Sequence, residues 1–157
     1  MTFFRYLMLL SLIVWLGGII FFAFVLAPTV FSVLPTRHLA GTVVNRALGS
    51  LHWIGIVCGV VFLASSMLYA RSRTGSTNTL AARHILLCLM LALTLVSQIG
   101  ISPKLAALRS SIGDIDSVRV TDPARVQFNS LHAWSTRIEG GVLLLGLVVV
   151  YLTASAL

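Results

Sequence analysis

Acidic side chains are scarce in this chain, four among 157 residues, and charged residues of both signs make up only 10% of it. Soluble domains carry about 25% charged residues, so a water-facing surface of ordinary kind is not available and a soluble fold is excluded. Cysteine is nearly absent, and Cys58 and Cys88 each sit inside an apolar run. On antiparallel neighbouring helices their depths would differ by roughly 10 Å, too far for a disulfide, and both read as buried packing. The chain also lacks a phosphate-binding loop, a glycine-rich dinucleotide signature and a Ser-His-Asp arrangement, so nothing in it argues for enzymatic catalysis. No internal repeat or low-complexity tract interrupts it.

What the chain has in quantity is hydrocarbon. Hydrophobic residues account for 58% of it, the mean hydropathy is +1.01, and apolar stretches approach or exceed the ~20 residues that cross a bilayer core. We read one transmembrane domain, 1–157, with spans at about 6–31, 51–70, 82–101 and 137–156. The first run, Tyr6 to Leu34, is too long for the apolar core of a signal peptide and reads as a retained span. Gly17, Gly18, Ala23 and Ala27 offer it close helix contacts. Pro28 is expected to end or kink it, and Pro35 marks the exit.

From Thr36 onward Leu39, Val43, Ala47 and Leu51 recur at steps of four, so an amphipathic helix is expected to run straight into the second span. Gly55 and Gly59 form a GxxxG pair inside that span. The polar stretch Arg71 to Arg83 returns the chain as an antiparallel neighbour. Pro103 and Lys104 mark the end of the third span, with one or two further helical turns beyond, and Ile112 to Thr121 is a loop. Asp122 before Pro123 is an N-cap with proline in the first helical position, a good start for the last helix. The fold class is therefore all-α, an integral membrane four-helix bundle whose helices 2, 3 and 4 extend beyond the bilayer on one side, here the far side.

The basic excess, ten arginines and one lysine, flanks the spans where lipid headgroups lie. No basic run with interleaved aromatics suggests a nucleic-acid surface, so the lipid bilayer is the expected partner. A raw count, four basic residues near and six far, would put the far side in the cytoplasm, but the tight near-side loop holds Arg71, Arg73 and Arg83 and no acid, so both termini are expected in the cytoplasm.

One polar run, Phe128 to Gly141, enters the final span. His132, Ser135 and Glu139 share a helical face there. Glu139 is the only acid within a span, and an intramembrane carboxylate needs a partner. His52 on the second span, Lys104 above the third and an intermolecular group are the candidates. Gln98 and Ser97 can hydrogen-bond between helices. His52 and His132 near one interface are also a candidate pair for haem iron or copper, whereas His38 and His84 are expected to be more exposed. Trp53 and Trp134 fit an interfacial aromatic belt. A ligand site built from Pro28, His52, His132, Ser135, Arg137 and Glu139 is the expectation.

The segments WLGGIIFFAFVLAPTVFSVLPTRHLAG and FNSLHAWSTRIEGGVLLLGL resemble the TMEM205-like proteins, a domain of unknown function numbered DUF4149. The likeness covers the two ends of the chain, the middle matching by hydropathy. It implies a four-helix protein of the bacterial cytoplasmic (inner) membrane, brings no catalytic residue, and marks Trp15, Gly18, Pro28, Phe31, His132 and Ser135. The general shape is also similar to copper-resistance D-type and HemJ-type membrane proteins, which links it to copper or haem chemistry by analogy.

The sequence thus carries a non-enzymatic integral membrane protein with a polar interfacial pocket for a small ligand, lipid or ion. The alternative is an accessory or scaffold subunit of a larger membrane complex, docking through Gly17, Gly18, Gly55 and Gly59 and the helical extensions; a homo-oligomer is a further partner expectation. A haem- or copper-binding membrane protein is the third reading.

Overall fold

Four long helices make up nearly all of the described residues. A computed structural model describes residues 2–74 and 82–155. Helix α1 is Thr2–Val33, α2 is Arg37–Thr74, α3 is Ala82–Ile112 and α4 is Pro123–Ala154. The chain between α2 and α3, expected as a tight near-side loop, falls largely outside the described residues, as does the end of the last span. Among the described residues the remaining regular element is one 3₁₀ turn at Ile115–Ser117.

Successive helices pack side by side, and α4 closes the ring against α1. The register of α2 on α3 is fixed by two contacts, His52 to Gln98 and Ser66 to His84, which fit a single antiparallel alignment over four turns. That register puts Cys58 level with Ala92, so Cys88 lies about 6 Å away in depth rather than the 10 Å expected. Both cysteines are free, and Cys88 is exposed rather than buried.

The inner face is a continuous apolar cluster that includes Met8, Leu12, Trp15, Phe62, Leu87, Met90 and Val149. The outer face is apolar too: Ile13, Phe24, Val57, Ile99 and Leu144 are exposed along the lengths of the helices. A monomeric soluble protein does not leave such surface to water, and its hydropathy and length suit hydrocarbon. The molecule is a multi-pass helical membrane protein.

Trp15 shows how the glycines are used. It is 2% exposed, and a Cβ at Gly55 would overlap its indole, while one at Gly59 would meet both Leu91 and the same ring. Gly18 likewise receives Leu51, and Gly146 receives Leu16. Without a hydrophobic drive between helices in lipid, such close fits supply much of the association energy. Gly18, Gly55 and Gly59 are therefore spent on packing within the bundle, and of the expected docking face only Gly17 has open space above it.

Neither Pro28, expected to end or kink α1, nor Pro103, beyond which one or two further turns were expected, ends its helix. Helix α1 runs through Pro28 to Val33 and α3 runs through Pro103 to Ile112. Each proline is preceded by a π-helical turn, Phe22–Leu26 and Val96–Ile101. Proline lacks an N–H and its ring crowds the carbonyl four residues earlier. The wider turn, in which Ala27 N–H reaches Phe22 O and Ser102 N–H reaches Ser97 O, absorbs that conflict without stopping the helix.

The far-side extensions hold a second apolar cluster, Ile101, Leu105 and Phe128, with Ile138 packed against both clusters. Helix α3 stops at Gly113, whose φ of +70° is open only to glycine at its ψ of −119°. The start of α4 follows expectation: Asp122 Oδ1 accepts from Ala124 N–H at 2.8 Å, ahead of Pro123.

Candidate functional site

Three spans meet at His52. Its Nε2 lies 2.5 Å from Glu139 Oε1 on α4, and its Nδ1 lies 2.8 Å from Gln98 Oε1 on α3. The imidazole is 2% exposed and the carboxylate side chain 15%. With the Gln98 carbonyl facing Nδ1, that nitrogen carries a hydrogen and donates it. One further proton then lies between Nε2 and Glu139, and the pair is neutral overall whichever atom holds it. Neutrality is what a low-dielectric interior demands of two ionisable groups. The expected interhelical partner of Glu139 is thus His52 and not Lys104, which is exposed.

The other expected site residues are not gathered there. His132 stands two turns, roughly 10 Å, above Glu139 on α4 and stacks on Phe128 with ring planes 2° apart. Ser135 is buried between those levels. Pro28 is exposed on α1. Arg137 is exposed and lies over the ring of Trp134 on its own helix, 5.5 Å from the centroid. Trp53 and Trp134, 58% and 54% exposed, face outward. His52 and His132 are not brought to one site, both ring nitrogens of His52 being engaged. Among the described residues no three His, Cys, Asp or Glu side chains gather as a metal-holding group.

A second polar site lies at the far end, and the sequence reading missed most of it. A cavity of about 180 Å³ opens among the helical extensions and the loop between α3 and α4. Its walls include Phe31 of α1, Arg37 and His38 of α2, Arg109 of α3, and Arg125, Phe128, Asn129 and His132 of α4. The loop folds back to form the rim. His38 Nδ1–H donates to Gly113 O at 2.7 Å, Arg37 pairs with Asp116 at 3.5 Å, and Arg125 donates to Val118 O. Arg109 crosses the cavity wall between Gly41, where a Cβ would overlap its guanidinium, and the face of Phe128, 5.2 Å from the ring centroid.

His38, expected to be exposed, is thus half-buried and holds the loop. His84, expected likewise, is 5% exposed on the near side, its Nε2 2.7 Å from Ser66 Oγ. The one available signal for the cavity was the surplus of arginine on the extensions, where six basic residues meet three acids.

No curated protein and no solved structure matches the chain. A family model does match, that of the domain of unknown function DUF4149, over residues 10–113. The match takes in α1, α2 and α3, including the middle that the sequence likeness had left to hydropathy, and with it His52, Gln98 and Arg109. The Leu-His-x-x-Ser entrance of α4 and Glu139 lie beyond it. Spanning well over half of the chain, that match makes this protein a member of the DUF4149 family.

Proposed function

We propose that this protein is a non-enzymatic membrane protein of the TMEM205-like type, seated in a bacterial cytoplasmic membrane, that holds a small ligand, lipid headgroup or ion in its far-side cavity. The observation that carries this reading is the cavity itself. It is a concave space of about 180 Å³, lined by charged and aromatic side chains, at the level where the helices leave the hydrocarbon. Ligand sites are concave and combine apolar walls with a few polar groups that fix orientation. The arginines of the near-side connection support termini on the cytoplasmic side, with the cavity on the opposite one.

The His52–Gln98–Glu139 bridge supports the site from below. It ties α2, α3 and α4 together directly beneath the extensions that form the walls, and a site on firmly joined helices keeps its shape. Native mass spectrometry of detergent-released protein tests the reading. A retained adduct should be present in the wild type and absent after Asn129→Trp, which fills the cavity from an exposed wall position. Equal retention by both proteins, or no adduct in either, contradicts it.

A further inference from the structure

We propose that the far-side cavity recognises a phosphate group, carried either by a membrane phospholipid or by a free phosphate; this rests on the ligand-holding reading above and names its chemistry. Charge in the cavity is unbalanced. Three guanidinium groups line the cavity, Arg37, Arg109 and Arg125, against one carboxylate, Asp116. That carboxylate already pairs with Arg37. Arg125 gives one N–H to Val118 O and leaves its buried Nε without a partner. Arg109 faces no carboxylate among the described residues, and its Nη1 is likewise buried and unbonded.

A half-buried cation without a counter-charge is costly to the fold. Here two of them line one space. Two positive charges and forked N–H donors match a tetrahedral dianion or a phosphodiester better than a carboxylate or a neutral polar group. Phe31 and Phe128 add apolar wall, which suits an ester-linked phosphate, and Asn129 adds a neutral donor. The cavity's place at the end of the apolar spans is also the depth at which phospholipid phosphates reside.

The test uses full-length protein in phosphate-free detergent, with inorganic phosphate, dioleoylphosphatidylglycerol and phosphate-free dioleoylglycerol as probes, read by phosphorus-31 line broadening and native mass spectrometry. Retention of phosphatidylglycerol without dioleoylglycerol, or broadening of inorganic phosphate, is expected; the first assigns the lipid as the source and the second the free anion. Arg109→Gln should weaken the retained probe about tenfold or more, and Arg109→Lys, which keeps the charge but not the fork, by less. Arg137→Gln, on the same face of the membrane but outside the cavity, should leave it unchanged.

Dioleoylglycerol held as well as phosphatidylglycerol, or full retention by Arg109→Gln, overturns the phosphate assignment; so does failure to hold any of the probes. Loss of a phosphorus-free adduct in Asn129→Trp would then leave the ligand-holding reading standing. Indifference of every adduct to Asn129→Trp would remove that reading as well.

Discussion

His52 and Glu139, 87 positions apart in the chain, meet through Nε2 and Oε1 at 2.5 Å inside the bundle. The contact joins the second span to the fourth at the boundary between two apolar clusters. Its immediate effect is structural, because two titratable groups become one neutral unit and each offsets part of the other's desolvation cost.

Breaking that unit from one side should be expensive. His52→Phe or Glu139→Leu alone leaves a buried group unpaired, a loss of about 3–5 kcal/mol. The double variant restores an apolar contact and should be clearly more stable than the sum of the single losses implies, with a coupling of about 1–3 kcal/mol. Unfolding titrations in mixed micelles of sodium dodecyl sulfate measure all four proteins. Additive losses would mean that the two side chains act independently.

The close fit of Trp15 against α2 gives a second prediction. Gly55→Ala places a methyl group where the indole stands and should destabilise by about 1–3 kcal/mol. Gly17→Ala meets nothing within 4 Å and should be neutral or slightly stabilising, since alanine is the better helix former. The same titrations separate the two outcomes.

Gly113 closes α3 with a backbone that other residues avoid. Gly113→Ala should cost about 1–3 kcal/mol of local strain and loosen the hold of His38 on the loop. Hydrogen exchange measures it: amides in the loop around Ile115–Ser117 should exchange faster, while those around Trp15 stay protected. Uniform exchange throughout would place the strain elsewhere.

The intramembrane bridge was legible in the sequence because hydrocarbon leaves few polar groups at a given depth. A lone carboxylate in the last span had to find one of them, and His52 was among the three candidates. The cavity was not legible in the same way. It depends on the loop returning to the start of α2 through His38 and Gly113, a contact between distant residues that no periodicity encodes. How Pro28 is accommodated was not legible, because local propensity marks proline as a terminator or a kink, whereas a π turn carries the helix through it, as another does at Pro103, past which further turns were expected. His84 misled through its nearness to a polar stretch; the register that pairs His52 with Gln98 also buries it against Ser66.

The central claim is that the polar residues serve two separate purposes, a bridge that holds the bundle and a cavity that holds a ligand. Native mass spectrometry on Arg109→Gln and Glu139→Gln, each compared with the wild type at equal folded protein, tests it most directly. The account predicts that Arg109→Gln loses the retained adduct while Glu139→Gln keeps it and is merely less stable. An adduct kept by Arg109→Gln and lost by Glu139→Gln would contradict the account and place the ligand at the bridge.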